Sequence, residues 1–201
     1  MKKILLILAP LLLSLPSLAE QAVLEIELKN LQVPNKAQIF VGNAGHNFDK
    51  IISAQLDLPV EVRALCASDH NLTQAQLTVG KFPLLATGHM ANEQTKSSQP
   101  ITLPNANAKE MSTRSATLHI RVDDLSAATK IDPVKACNDF LQSKQRQGMS
   151  SQVFLQQDRR ITFDFEISFA AECKRKWKAG GLWTQTTRPA NAVIVCRRAT
   201  R

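Results

Sequence analysis

Apolar residues recur at every second position over long stretches of this chain, and that period is the signal of strands with one buried face. In ITFDFEISFAAEC the odd positions Ile161, Phe163, Phe165, Ile167, Phe169, Ala171 and Cys173 are apolar, while Thr162, Asp164, Glu166, Ser168 and Glu172 are polar. From Ile52 to Cys66 the even positions carry the pattern: Ile52, Ala54, Leu56, Leu58, Val60, Val62, Ala64 and Cys66, with Pro59 expected to bend the strand or place it at an edge. Shorter alternations fall at Ala22–Leu28, at Ala37, Ile39 and Val41, at Ala75, Leu77 and Val79, and at Ala116, Leu118, Ile120 and Val122. Val153 and Leu155 suggest one more short strand.

One segment has the spacing of a helix. Asp132 suits an N-cap, Pro133 the first helical position, and Lys144 and Arg146 the last turn, with Gly148 as a stop. Val134, Cys137, Phe140 and Leu141 then share a face. Many strands, turn signals between them and a single helix exclude an alternating parallel α/β sheet. The expected architecture is mainly β: an antiparallel β-sandwich or barrel-like sheet with one disulfide-pinned α-helix.

The first residues read differently. Lys2 and Lys3, the apolar run Ile4 to Leu13 and the small-x-small step Ser17-Leu18-Ala19 form a signal-peptide pattern over residues 1–19, and residues 20–201 are expected to form a single β-rich domain. The apolar run is short and broken by Pro10, and no later segment has spanning length, so no transmembrane segment is expected in the mature chain. The destination is periplasmic or secreted. Export permits disulfides, and Cys66, Cys137, Cys173 and Cys196 lack the close spacing of a metal site. The expected pairing is Cys173 with Cys196, at the two ends of one excursion, which leaves Cys66 with Cys137.

Charge sharpens the picture. The formal charge of +8 becomes +6 without Lys2 and Lys3, and eight cations with no acid lie beyond Cys173, which leaves −2 for the rest. The basicity is local. Between the long Phe-rich strand and the returning AVIVC strand lies KRKWKAGGLWTQTTRPA, which holds both tryptophans. Lys174, Arg175, Lys176, Trp177, Lys178, Trp183, Arg188, Arg197 and Arg198 are the candidate binding residues. Clustered cations attract anions, and an exposed indole stacks on a planar or sugar face or enters a headgroup zone. The plainer arrangement has both indoles capping the core and the cations solvating the surface. The partners implied are an anionic glycan, a lipid headgroup or an acidic protein surface. Nucleic acid fits the charge, but no binding motif is present and the compartment argues against it.

Other chemistry is thinly signalled. Asp164 and Glu166 share a polar face and are expected to face Arg197 or another cation across the sheet. His46, His89, Met90 and His119 follow no ligand spacing, and no cofactor is implied. His46 with Asp49, or Asp69 with His70, matches part of a triad in composition alone, since no G-x-S-x-G elbow occurs. Three functional readings follow: a non-enzymatic exported binding protein; a small secreted hydrolase with a His/carboxylate site under the 91–114 loop; and a subunit or inhibitor that pairs through an edge strand.

Overall fold

The computed structural model describes residues 22–29, 37–43, 45–67, 69–85, 88–91, 97–104, 110–177 and 179–198. The signal-peptide pattern at 1–19 lies outside these residues, as does Lys178. The chain is mainly β. Its strands are β1 (Val23–Leu28), β2 (Ala37–Asn43), β3 (Phe48–Leu65), β4 (His70–Val79), β5 (Gln99–Pro100), β6 (Ser112–His119), β7 (Arg159–Arg175) and β8 (Gly181–Arg198). Three helical segments, α1 (Val122–Thr129), α2 (Pro133–Arg146) and α3 (Ser151–Phe154), lie between β6 and β7.

The strands run β1-β3-β2-β8-β7-β4-β5, with β6 paired to β3 off that path, and the sheet does not close into a barrel. It is mixed rather than wholly antiparallel, because β2 runs parallel to β8 from Gln38↔Val193 to Asn43↔Arg198. A parallel neighbour needs a long crossover, and the chain from β3 to β7 supplies it. Local alternation carries no record of that distant partner.

β3 belongs to two ladders. Its first half pairs with β2, and its second half lies between β1 and β6. Pro59 sits near the changeover, paired with Thr117 and accepting from the Lys29 N–H, so the missing donor coincides with a change of partner. Leu56, Leu58, Val60, Val62 and Ala64 are buried as their alternation requires. Ile52 and Ala54, expected inward, are exposed. Among the described residues only β2 pairs with this half of β3, and two register shifts leave Ile52 and Asp49 without partners in that ladder. Ile52 sits at one of these bulges, where an unpaired residue turns the strand and breaks the phase, whereas Ala54 stays in phase with Leu56 and lies past the edge of the buried core.

β7 is the centre of the core. Phe163, Phe165, Ile167, Phe169, Ala171 and Cys173 are buried on the face that periodicity assigned to the interior. Ser168, Ala170 and Glu172, on the other face, are buried as well. That face is covered near Thr78, which shares a hydrogen bond with Ser97 (3.1 Å), and near Trp183, on which Phe82 stacks with ring centroids 6.2 Å apart. Asp164 and Glu166 do not meet Arg197: their cross-strand partners are Asn191 and Pro189, and Glu166 lies 3.8 Å from Lys81.

The helices extend the core. Asp132 caps α2 by accepting from the N–H groups of Val134 (2.8 Å) and Lys135 (3.1 Å). Asn138 then replaces a missing strand partner, bonding the backbone N–H and C=O of Phe48 at 2.9 Å each. Phe154 packs edge-on against both Phe48 and Phe140. Two expectations fail between β6 and β7. Val122 begins α1, where Asp123 and Asp124 complement the N-terminal dipole, and Val153 lies in α3, capped by Ser150.

The disulfides are Cys66–Cys173 and Cys137–Cys196, with no free cysteine among the described residues. The expected pairing is therefore wrong. Register explains the error: Cys173 faces Leu182 across the hairpin, while Cys196 faces Arg159 at the far end of β7. One bridge ties the end of the second ladder to β7, and the other fastens α2 to β8. Disulfides of this kind are compatible with an exported protein. Among the described residues no helix is long and apolar enough to cross a membrane.

Candidate functional site: the basic tip of the β7–β8 hairpin

Most of the expected excursion is strand. β8 begins at Gly181, so the turn is confined to residues 176–180, and Gly180 takes the positive φ of +88° that the reversal needs. The hairpin is long, and this divides the candidate cations. Lys174, Arg175, Lys176 and Trp177 stand at the tip. Arg197 and Arg198 stand at the base, where Cys196 pairs with Arg159, about 50 Å along the strand at the usual rise. Arg188 lies between, with its Nε donating to the carbonyl of Ile26 in β1 at 3.0 Å. The described candidates do not form one surface.

At the base Arg197 is engaged. It pairs with Asp158 at 2.6 Å and lies 4.4 Å from the centroid of Phe40. At the tip the cations divide again. Arg175 Nε donates to Asp69 Oδ2 at 2.7 Å, and His70 Nδ1 lies 2.5 Å from Asp69 Oδ1. Burial pushes the Asp69 carboxyl up, but the bonds from Arg175 and His70 outweigh it and hold it below the usual carboxylate range. The backbone N–H of Lys176 also reaches the Asp69 carbonyl, at 3.3 Å. Asp69 thus fixes the root of the turn. Among the described residues neither Lys174 nor Lys176 has a carboxylate partner.

The two indoles differ. Trp177 is 94% exposed. Trp183 is half-buried against Phe82, and its backbone N–H donates to the Gly88 carbonyl at 2.7 Å. Gly88 has φ +79°, and a Cβ there would lie 3.1 Å from the Trp183 carbonyl, so the turn after β4 is held close to β8. Trp183 is a structural residue, and Trp177 is free for contact. Two apolar neighbours escaped sequence reading. Leu182, beside Trp183, is 50% exposed, and Leu85, in the turn that Gly88 closes, is 53% exposed.

Beneath the tip lies a buried acid. Glu172 is 8% exposed, and Thr73 Oγ1 donates to its Oε2 at 2.6 Å. Its side chain lies across Gly181, where a Cβ would sit 2.5 Å from Glu172 Cγ and Cδ. The missing side chain at Gly181 is what lets the carboxylate fold under the hairpin instead of facing the lysines.

The histidines stay apart. His119 Nδ1 lies 2.8 Å from Asp57 Oδ1, with both side chains more than half exposed, and His70 is tied to Asp69. Among the described residues no three His, Cys, Asp or Glu side chains converge as a metal site would require. No family model, curated protein or solved structure matches this chain.

Proposed function

We propose that the protein is an exported, non-enzymatic binding protein that recognises an anionic partner through the tip of the β7–β8 hairpin. In this reading the ladders that share β3 act as the two layers of a sandwich, and the hairpin projects from one end of it. The supporting observation is the exposed Trp177 beside Lys174 and Lys176, neither of which has a carboxylate partner among the described residues. Such a group presents a planar apolar face and positive charge together. The Arg197–Arg198 end does not take part, because Asp158 and Phe40 engage Arg197 there.

Retention on heparin against salt tests the reading, with wild type, a tip variant (Lys174→Ala, Arg175→Ala, Lys176→Ala and Lys178→Ala combined) and a base variant (Arg197→Ala with Arg198→Ala). The tip variant should elute at much lower salt, while the base variant should elute close to wild type. Equal and salt-insensitive elution of all three ends the proposal.

A small secreted hydrolase has one observation in its favour. The His119–Asp57 pair lies beside Gln99, within the 91–114 segment, whose side-chain amide accepts from the His119 N–H at 3.1 Å and donates to the Thr117 carbonyl at 2.9 Å. The pair is open to solvent, which gives neither residue the burial that tunes a catalytic acid or base. Edge pairing is less favoured still. The exposed half of β3 is interrupted by the bulges at Asp49 and Ile52, and bulged, charged edges resist strand addition.

A further inference from the structure

We infer that the anionic partner is a lipid bilayer, and that the hairpin tip enters its interface with Trp177, Leu182 and Leu85 facing the acyl boundary. This rests on the anionic-partner reading above and adds the source of the charge. Three of the large apolar side chains exposed on this molecule lie at this end: Trp177 at the turn, Leu182 on β8, and Leu85 in the turn bonded to β8 at Trp183. A soluble polyanion uses charge and one ring face and leaves two half-exposed leucines in water. A bilayer interface uses all of them. Indoles settle at headgroup depth, aliphatic side chains just below, and lysines reach the phosphates.

The support beneath the tip fits this use. The Cys66–Cys173 bridge lies one residue before Lys174, and Asp69 holds Arg175 and the Lys176 backbone. The apolar group is therefore presented already ordered, and little conformational freedom is lost on docking. Of the two acids described near the turn, Asp69 is bonded to Arg175 and His70, and Glu172 is folded under Gly181, away from an anionic surface.

The test uses the full chain with Trp183→Phe, which keeps a ring against Phe82 and leaves Trp177 as the sole indole. It is titrated with vesicles of phosphatidylcholine, with 3:1 phosphatidylcholine:phosphatidylglycerol vesicles, and with heparin. Where Trp183→Phe fails to fold, the same titrations compare wild type with Trp177→Phe. The expected result is a blue shift of Trp177 emission, and quenching by brominated acyl chains, with the anionic vesicles alone. Lys174→Ala and Lys176→Ala should each weaken vesicle partition roughly fivefold. Leu182→Ser and Leu85→Ser should each weaken it roughly threefold or more, as covering half a leucine implies, without moving heparin elution. Retention on heparin without a Trp177 shift on vesicles, or vesicle binding without quenching, overturns the bilayer and leaves the anionic reading standing. Binding to neither probe removes both.

Discussion

Gly181→Ala is the sharpest structural test of the hairpin tip, because its sign should depend on a second residue. A Cβ at this position would lie 2.5 Å from Glu172 Cγ and Cδ, far inside van der Waals contact, so the Glu172 side chain must move. Moving it breaks the 2.6 Å bond from Thr73 and turns a carboxylate that is 8% exposed toward another environment. A hydrogen bond to a charged group contributes about 1.5–3 kcal/mol, and an off-rotamer side chain costs about 0.5–1.5 kcal/mol more. Against this, alanine restricts the unfolded chain and returns about 0.4–1 kcal/mol. The net expectation is a loss of about 2 kcal/mol, read as a lower urea midpoint at unchanged m-value.

The cycle is closed with Glu172→Ala. In that background the obstruction is gone, and Gly181→Ala should become neutral or stabilising by about 0.5 kcal/mol. A loss of the same size in both backgrounds would show that Glu172 does not lie over Gly181. The description of the tip as a turn with its acid folded beneath it would then be wrong.

Two further outcomes follow from the same contacts. Removing Cys137–Cys196 or Cys66–Cys173 as an alanine pair should cost about 4 and about 5 kcal/mol on the chain-entropy model, for separations of 59 and 107 residues; non-reducing peptide mapping that links Cys173 to Cys196 would refute the connectivity outright. Bonds from Lys29 and Arg63 hold the Glu61 carboxyl below its usual range, and Arg175 and His70 do the same for Asp69 despite burial. Both groups therefore contribute stability above the ordinary carboxylate range that is lost as pH falls through their lowered values. The urea midpoint should drop below about pH 4 in wild type and drop less in Asp69→Asn and Glu61→Gln; parallel profiles for all three would contradict the pairing.

Much of the fold was legible because it depends on local phase. The buried faces of β7 and of the second half of β3 follow from alternation, and α2 follows from its cap, its proline and its apolar stripe. What escaped depends on partners distant in the chain. The exposed half of β3 carries the same alternating letters as the buried half, but among the described strands only β2 pairs with it. α1 was hidden because Val122 continues the alternation of β6 for one more step, while the acids at Asp123 and Asp124 signal a helix start. For the candidate site, the sequence located the turn and its cations. It could not show that Trp183 is spent on Phe82, that Asp69 claims Arg175, or that Leu85 is brought alongside.

The cysteine error shows what a sequence reading can recover by stricter counting. An antiparallel hairpin has one register sum, and here the numbers of paired residues add to 355, which puts Cys173 opposite Leu182 and Cys196 opposite Arg159. Two cysteines of one hairpin can be joined only when they fall close to the same rung, since a disulfide spans a Cα separation of about 5.5–6 Å. These two are many rungs apart, so each must find its partner outside the hairpin. One takes Cys66 near the tip, and the other takes Cys137 near the base. The hairpin is thereby fastened at both ends to different parts of the fold, and residues 176–180 are left beyond the upper fastening. The pairing of β7 with β4 up to Arg175 and of β8 with β2 at the base already holds the hairpin in the sheet, and the bridges reinforce it at the same two levels. A hairpin anchored at two levels passes a load on Trp177 into the core, which is the property the proposed docking role calls for.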